Sequence, residues 1–359
     1  MSQFNFYALV MAGGRGTRFW PESTSQRPKQ YLSLTGDQPL LTKTLSRFEG
    51  LIEAKRRFVV TVKEQEALAA ECSEGAINDK GLIFEPSGRN TAPCILLSMA
   101  ALEVMGAGDD DVVAIVPSDH VILDEDGFRR TVELAGKSAT EQDAIVTIGI
   151  KPNFPHTGYG YIKRGEEAAN GVSKVDEFKE KPDRETAESY LKSGQYYWNA
   201  GMFVATLKTL KREFSHCSPE TYAHFDALKS ALEKGEGVAE VYEKLPKDSI
   251  DYAVMEKSEC VCVVAADFDW NDLGSWDALE TVVTERQGNT LISRGHDVIH
   301  EAKGNIVYAP GKHVSLVGVE DLIVVSNEKT VVVLPKNRSQ EVKNIVAELQ
   351  KNEDLVDLL

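Results

Sequence analysis

The chain has 359 residues and a formal net charge of −16 at pH 7. A strongly acidic chain lacks the basic face that a nucleic-acid backbone requires, so we expect no nucleic-acid partner. No segment approaches 18 consecutive apolar residues, and the short N-terminal apolar run leads into glycines without a cleavage pattern, so we expect no membrane span, no signal peptide and a cytoplasmic location.

Short apolar runs alternate with helical patterns through the first 150 residues. This alternation predicts an α/β fold with a mixed, mostly parallel sheet that is covered on both faces. Asn90 or Thr91 is expected to cap a helix that has Pro93 in its first turn. An earlier helix is predicted to carry one apolar face, formed by Leu41, Leu45, Phe48 and Ile52. The predicted strands are Tyr7–Met11, Phe58–Val62, Leu82–Phe84, Val112–Val116 and Ala144–Ile150.

The pattern changes after residue 151. Residues 151–165 are rich in Pro, Gly and aromatics and predict an irregular segment over a site. Short strand-like pieces then recur at roughly ten-residue spacing near the C-terminus, with no fixed-period repeat, and a last helix is predicted with Ser339 as its N-cap. We expect one domain over residues 1–287 and a small β region ending in a helix over residues 288–359. The other predicted elements are helices at Asp183–Leu191, Lys208–Phe214 and Thr221–Leu232 and a strand at Cys260–Ala265.

The cysteines and histidines do not form a metal-binding pattern. The five cysteines are an odd number without a C-x-x-C pair, and the seven histidines lack metal-ligand spacing. We therefore expect reduced thiols in the core, with Cys260 and Cys262 on one face of a strand, and no structural zinc.

The strongest local feature is a glycine-rich turn directly after the first predicted strand. Gly13, Gly14 and Gly16 allow backbone N–H groups to approach an anion, and the spacing fits neither a dinucleotide-binding nor a Walker A loop. Arg18 and Lys29 follow closely, as expected where a ligand with several phosphates binds. The first 30 residues carry a single acid, Glu22, and four basic residues, Arg15, Arg18, Arg27 and Lys29.

The string G-G-x-G-x-R-x-W-P followed by P-K resembles the signature of the sugar nucleotidyltransferases. The resemblance spans about residues 6–280 and implies a Rossmann-like domain with the nucleotide over the carboxyl ends of the strands. It implies that Arg18 and Lys29 act on the triphosphate. The nucleotide-binding residues implied in the turn are Gly13, Gly14, Gly16 and Thr17.

Two aspartates in further matching strings are the expected metal ligands. Asp119 follows the strand Val112–Val116 within P-S-D-H, so it lies at the carboxyl end of a strand, where ligands bind in open α/β sheets. Asp272 in W-N-D-L-G-S-W resembles the second magnesium-binding carboxylate of the family. One or two carboxylates with phosphate oxygens and water are sufficient for Mg²⁺, the expected cofactor.

The resemblance also implies a sugar-phosphate site. Glu180 and Lys181 of E-K-P match the residues that hold sugar hydroxyls and the sugar phosphate, and Lys181 is therefore counted with the catalytic cations. Asn199 of W-N-A-G-M-F resembles a sugar-hydroxyl ligand. Gly160 of H-T-G-Y-G-Y matches a backbone contact beside the sugar.

The strings E-P-S-G-R-N-T-A-P and S-I-D-Y-A-V-M-E are similar to those of family members that use GTP and mannose 1-phosphate. Glu85 is an acceptor that could read the N–H donors of guanine, and the alternative is a surface carboxylate at a strand end. The expected nucleotide-binding residues of this segment are Glu85, Pro86, Arg89, Asn90 and Thr91.

The expected reaction is GMP transfer from GTP to α-D-mannose 1-phosphate, which gives GDP-mannose and pyrophosphate. Another hexose 1-phosphate is an alternative substrate, and a non-catalytic subunit that senses nucleotide sugars is the alternative from a different class. Because the chain ends after the β region and one helix, we expect no phosphomannose isomerase activity. We also expect a possible homodimer, since family members often associate through C-terminal segments.

Overall fold

A computed structural model describes residues 5–14, 16–169 and 171–359, so Arg15 lies outside the described residues. The chain divides into two compact units. Unit 1 comprises Met1–Gly13, Thr44–Ser118 and Ile122–Asp269, and unit 2 comprises Gly14–Lys43, Asp119–Val121 and Trp270–Leu359. The division does not follow the order of the chain, and the boundary expected at residue 287 stays a prediction.

Unit 1 contains a mixed nine-stranded sheet, which confirms the predicted fold class. The strands are β1 (Phe6–Met11), β2 (Arg57–Val62), β3 (Leu82–Glu85), β4 (Val112–Pro117), β5 (Ile145–Ile150), β6 (Tyr161–Ala169), β7 (Val172–Lys179), β8 (Tyr196–Thr206) and β9 (Val261–Ala265). Their order is β3-β2-β1-β4-β8-β5-β9-β7-β6. Strands β7 and β8 run opposite to the others.

The five strands predicted in the first 150 residues are confirmed to within one residue at either end. They are readable from the sequence because parallel strands buried on both faces are continuous Val- and Ile-rich runs. Strands β6, β7 and β8 are not predicted, and the irregular segment ends at Gly160, earlier than expected. Strand β8 has no simple apolar pattern because polar Asn199 lies within it and Gly201 adopts a φ of 65°.

The observed helices agree only in part with the predicted ones. Asn90 caps helix α3 (Thr91–Val104) through its side chain, which accepts from Thr91 N, as predicted. The first helix ends at Ser46, whereas Phe48 and Ile52 are buried from the turns that follow, so the predicted length is wrong. Apolar spacing cannot distinguish one helix from a helix with turns that bury the same side chains. The helices up to residue 242 are α1 (Leu40–Ser46), α2 (Glu66–Ser73), α3 (Thr91–Val104), α4 (Glu125–Gln142), α5 (Arg184–Ser193), α6 (Leu207–Cys217), α7 (Pro219–Tyr222), α8 (Phe225–Lys234) and α9 (Val238–Tyr242).

After helix α10 (Leu279–Val282), the chain of unit 2 winds through successive short strands that stack in parallel, an arrangement called the parallel coil below. Strands β11 (Asn289–Ile292), β13 (Ile306–Tyr308) and β15 (Leu322–Ser326) pair in parallel, with Thr290 opposite Ile306 and Ile306 opposite Ile323. Buried Asn305 donates from Nδ2 to Oδ1 of buried Asn289 at 2.8 Å, which stacks one turn on the next. The strands are β10 (Glu285–Arg286), β11 (Asn289–Ile292), β12 (Val298–His300), β13 (Ile306–Tyr308), β14 (Ser315–Val317), β15 (Leu322–Ser326) and β16 (Val331–Pro335).

This coil repeats in structure, but the paired positions Thr290, Ile306 and Ile323 are not evenly spaced, so it gives no fixed period in the sequence. The sequence signal is the Gly-Asn pair that occurs at Gly288-Asn289 and again at Gly304-Asn305. Both glycines have positive φ, 76° and 68°, and a Cβ on Gly304 would lie 2.3 Å from Oδ1 of Asp321. The positive φ favours glycine at both positions, and at Gly304 a Cβ would also displace the carboxylate of Asp321.

The terminal helix α11 (Val342–Leu349) is present, but Ser339 is not its N-cap. A 3₁₀ helix, Lys336–Glu341, precedes it and satisfies the first N–H groups instead. Of the apolar side chains of this helix, Val342 and Val346 are buried, whereas Ile345 is exposed.

None of the helices in the described chain is long and apolar enough to cross a bilayer. None of the five cysteines, all of which lie within the described residues, forms a disulfide. The expectation of core positions holds for Cys94, Cys217 and Cys262, but Cys72 is half-buried. Cys260 is exposed because β9 begins one residue after it, so the expected shared face is wrong.

Candidate active site

The glycine-rich turn brings a buried lysine against the backbone. Gly16 has a φ of 58°, and a Cβ on it would lie 2.4 Å from Cβ of Lys29, so only glycine permits this approach. The carbonyl oxygen of Gly14 accepts a hydrogen bond from Nε2 of Gln30 at 3.1 Å. Thr17–Phe19 then form one turn of 3₁₀ helix, in which the side chains of Thr17 and Arg18 are exposed.

Lys29 joins the two predicted metal-binding segments of unit 2. Its Nζ donates to Oδ2 of Asp119 at 3.0 Å and to the main-chain oxygen of Asp272 at 2.6 Å. The carboxylate of Asp272 lies beside Gly274, where a Cβ would be 3.3 Å from Oδ2. Residues 29, 119 and 272 are thus brought together as the sequence predicts, although far apart in the chain.

These groups line a cavity of about 360 Å³ that lies within unit 2. Its size is that of a small ligand pocket. The lining contains residues of the glycine-rich turn, both predicted metal ligands and one lysine from α11. The lining residues are Gly16, Thr17, Arg18, Phe19, Lys29, Asp119, His120, Asp272, Leu273, Gly274 and Lys343.

The electrostatic surroundings keep Asp119 ionised. Burial would raise the pKa of its carboxyl, but the charge of Lys29, that of His120 and the hydrogen bond from Lys29 outweigh burial and lower the pKa. About a third of the Asp119 side chain remains exposed, so the carboxylate is accessible from the cavity. An ionised, accessible carboxylate can bind a cation.

The donor set fits a hard divalent cation that takes most of its ligands from substrate and water. The carboxylates of Asp119 and Asp272 offer only oxygen, as such cations prefer. Among the described residues, no group of three or more His, Cys, Asp or Glu side chains could hold a metal ion. This arrangement excludes a closed protein cage within the described chain and is compatible with a cation that is shared with phosphate oxygens.

Glu85 is buried in unit 1, which excludes the alternative of a surface carboxylate. Tyr242 donates from its hydroxyl to Oε1 of Glu85 at 2.5 Å, and a Cβ on Gly13 would lie 3.2 Å from Oε2. Burial raises the pKa of Glu85, and hydrogen bonds from Tyr242 and Cys94 oppose that rise. The carboxyl group therefore lies against the first glycine of the turn.

The segment after Glu85 is fixed by its own side chains. Arg89 donates from Nε and Nη2 to the carbonyl oxygen of Leu245 at 2.9 and 2.7 Å and forms an ion pair with Glu243. Thr91 accepts from the N–H of Ile250 at 2.8 Å. Arg89, Thr91 and the capping residue Asn90 thus have structural partners, and the ring of Pro86 has no polar atom. Their nucleotide-binding role stays a prediction.

The predicted sugar residues form a second cluster in unit 1. A Cβ on Gly160 would lie 2.5 Å from Oε2 of Glu180 and 3.2 Å from Cβ of Asn199, so all three are in contact. Lys181 places Nζ 2.7 Å from Oε1 of Glu180. Burial would lower the pKa of Lys181, but the hydrogen bond and charge of Glu180 raise it, so the ammonium group stays charged.

Asp251 also belongs to this cluster, although sequence reasoning assigned it no role. Its Oδ1 accepts from Nδ2 of Asn199 at 2.9 Å, and Oδ1 of Asn199 accepts from the N–H of Gly201 at 2.9 Å. Burial and then the charge of Glu180 raise the pKa of Asp251 to about 6. The string S-I-D-Y, which the sequence analysis singled out, was the available signal, and it forms the start of a π-helix at Asp251–Met255.

Comparison with protein families gives two matches. Residues 7–287 match the family described as Nucleotidyl transferase. Residues 295–349 match the family described as MannoseP isomerase/GMP-like beta-helix domain, in agreement with the parallel coil of β11, β13 and β15.

Individual relatives are similar over almost the whole chain. The mannose-1-phosphate guanylyltransferase of Klebsiella pneumoniae is 39% identical over 354 residues, which are 96% of this chain and 74% of that protein. The alginate biosynthesis protein AlgA of Pseudomonas aeruginosa is 36% identical over 353 residues, which are 95% of this chain and 71% of that protein. A crystal structure described as mannose-1-phosphate geranyltransferase from Thermus thermophilus aligns with a TM-score of 0.88 and 36% identity, and covers 97% of this chain and 100% of that chain.

Proposed function

The chain belongs to the nucleotidyl transferase family, and from that premise we propose that it is a mannose-1-phosphate guanylyltransferase. It transfers GMP from GTP to α-D-mannose 1-phosphate and releases pyrophosphate. The observation that carries the proposal is the joint contact of Lys29 with Asp119 and Asp272 in a cavity beside the glycine-rich turn. The names of the relatives support guanine and mannose as the base and the sugar.

The chemistry is an in-line displacement. A phosphate oxygen of mannose 1-phosphate forms a bond to the α-phosphorus of GTP, and the bond from that phosphorus to the β-bridging oxygen breaks with its electron pair on pyrophosphate. The attacking phosphate has a second pKa of about 6, so it is largely ionised at neutral pH and needs no general base. Catalysis then consists of positioning and neutralising charge.

The residues of unit 2 have distinct parts in this reaction. Arg18 is exposed in the cavity and neutralises phosphate charge. Lys29 is buried and holds Asp119 and the Asp272 segment in position. We assign Asp119 and Asp272 as ligands of a divalent cation, Mg²⁺, which supplies charge neutralisation at the phosphate oxygens when bound.

The residues of unit 1 recognise the base and the sugar. Glu85 accepts hydrogen bonds from the N–H groups of guanine, with its carboxyl group held by Tyr242. Glu180 and Asn199 bind sugar hydroxyls, and Lys181 binds the phosphate of mannose 1-phosphate. Asp251 fixes the amide of Asn199.

Two alternatives from the sequence remain testable. Another hexose 1-phosphate could be the acceptor, because sugar recognition rests on a few hydroxyl contacts. A non-catalytic sensing subunit is disfavoured, because such a protein could lose a metal carboxylate or a phosphate cation, and Arg18, Lys29, Asp119 and Asp272 are all present. The homodimer, the cytoplasmic location and the absence of isomerase activity stay predictions.

The test is pyrophosphate release by the purified chain from GTP, ATP or UTP, each paired with mannose 1-phosphate or glucose 1-phosphate, with Mg²⁺ or with EDTA. We expect release with GTP and mannose 1-phosphate, and its abolition by EDTA. The matched control replaces an exposed aspartate, Asp126→Asn, which should leave the rate unchanged, whereas Asp119→Asn should lower it at the same Mg²⁺ concentration. No release from any pair would contradict the proposed enzyme class, and a preference for glucose 1-phosphate would contradict the sugar assignment.

A further inference from the structure

The cavity of unit 2 that Lys29 and Asp119 line also receives one side chain from the C-terminal helix. Lys343 of α11 lines it together with Thr17, Arg18, Lys29 and Asp119. The motifs read from the sequence contribute no residue after Asp272 to the site. Lys343 is therefore a cationic residue of the cavity to which no role in substrate binding has been assigned.

The packing of α11 within unit 2 fixes the backbone position of Lys343. The adjacent Val342 is buried in one hydrophobic cluster with Phe19 and Trp20, so α11 packs against the turn that presents Arg18. The last residues of the chain strengthen this packing, because Trp20 donates from Nε1 to the carbonyl oxygen of Leu358 at 2.8 Å. Lys343 thus extends from a helix that is anchored next to the glycine-rich turn.

The charges of the cavity show why a further cation matters. Lys29 is ion-paired with Asp119, and the charge of Arg18 balances that of Asp272, so these four side chains are formally neutral together. Lys343 is exposed, and no ion pair of its ammonium group occurs in the described part of the chain. It supplies a net positive charge to the lining, as a polyphosphate requires.

We propose that Lys343 binds the departing end of the triphosphate, that is, the β- and γ-phosphates of GTP and the pyrophosphate product. The inference rests on the proposed function and assigns the C-terminal helix a direct part in substrate binding. A lysine ammonium provides three donors on a flexible stem, which suits a ligand that changes from bound triphosphate to free pyrophosphate.

The experiment compares the full-length chain with Lys343→Ala, Lys343→Arg and the control Lys351→Ala, in which an exposed lysine paired with Glu348 is removed. The rate of GTP formation from GDP-mannose is measured against pyrophosphate concentration, and the forward rate against GTP and against mannose 1-phosphate. We expect Lys343→Ala to raise the KM for pyrophosphate and for GTP about ten-fold, as for one lost charge-assisted hydrogen bond. The KM for mannose 1-phosphate should stay within about two-fold. Lys343→Arg should retain most of the affinity, and Lys351→Ala should behave as wild type.

The outcomes separate the two proposals. An active wild type with an unchanged pyrophosphate KM in Lys343→Ala overturns the inference and leaves the proposed function intact. An equal rise in the KM for mannose 1-phosphate also overturns it, because the effect would not be specific to the departing phosphates. If the wild type forms no GTP, the proposed function fails. Calorimetric titration with inorganic pyrophosphate then tests Lys343 alone, and equal affinities for wild type and Lys343→Ala overturn the inference.

Discussion

Buried Lys29 and partly exposed Asp119 form an ion pair in unit 2, with Nζ 3.0 Å from Oδ2, and the same ammonium group donates to the carbonyl oxygen of Asp272 at 2.6 Å. One side chain therefore fixes two segments that lie 90 and 243 positions away in the chain. The lysine acts on the geometry of the acidic residues as well as on the charge of the cavity. Substitutions in this arrangement and in the two clusters of unit 1 test the assigned roles.

Replacing Lys29 by methionine should lower kcat by at least about 100-fold, as for loss of a group that stabilises developing charge. The variant loses the hydrogen bonds to Asp119 and Asp272, so both segments lose their fixed position. Steady-state kinetics measure the effect, and circular dichroism verifies the fold. The exposed Lys55→Met is the control and should retain full activity. A Lys29→Met enzyme with near-normal kcat would contradict the assignment.

Removing either proposed metal ligand should weaken the binding of the cation. Asp119→Asn and Asp272→Asn should each raise the Mg²⁺ concentration for half-maximal rate by at least about ten-fold, because an amide is a weaker ligand for a hard cation than a carboxylate. Rates are titrated with Mg²⁺ at saturating substrates. Equal Mg²⁺ curves for Asp272→Asn and the wild type would exclude Asp272 as a ligand.

Base selection should depend on Glu85 and on the hydroxyl of Tyr242. Glu85→Gln replaces one acceptor oxygen by a donor, which opposes the N–H groups of guanine, so the preference for GTP over ATP should fall at least about ten-fold. Tyr242→Phe removes the hydrogen bond that holds Oε1 and should cause a smaller loss. Ratios of kcat/KM for GTP, ATP and UTP provide the measurement. Unchanged ratios in Glu85→Gln would remove Glu85 from base recognition.

Asp251 should make stability depend on pH. Because its pKa is raised to about 6 from an ordinary 3.8, the folded chain keeps a proton that the unfolded chain releases, and the contribution of Asp251 to stability falls as pH rises from about 4 to 6. Asp251→Asn removes this loss. The free energy of unfolding of the variant, taken relative to that of wild type, should therefore increase over that range by at most about 3 kcal/mol and then stay constant.

The same substitution should raise the KM for mannose 1-phosphate, since Asp251 fixes the amide of Asn199. Urea unfolding at pH 4, 5, 6 and 8, with kinetics at pH 7, provides both readouts. Asp143, exposed and paired with Arg212, is the control for a carboxylate with a lowered pKa, whose effect on stability changes only below its ordinary pKa of 3.8, so Asp143→Asn should show a nearly constant difference in stability from pH 5 to 8. A constant difference in stability between Asp251→Asn and wild type from pH 4 to 8 would contradict the raised pKa.

The sequence by itself determined the parallel strands and predicted the chemistry of the site. Continuous apolar runs identify β1, β2 and β4 because burial on both faces leaves few polar positions in them. The glycine-rich turn and the positions of Arg18, Lys29, Asp119 and Asp272 were identified because phosphate and a hard cation require these residue types, and because the motifs that contain them resemble a known family.

Only the tertiary structure decided which of these residues act on each other. Strand β8 and the parallel coil were not predicted, because their pairing depends on contacts between distant segments rather than on local apolar periodicity. The same reason applies to Asp251 and Lys343. A lone aspartate in a helical turn and a lone lysine on a terminal helix have no local pattern, and their partners are set by packing that brings distant parts of the chain together.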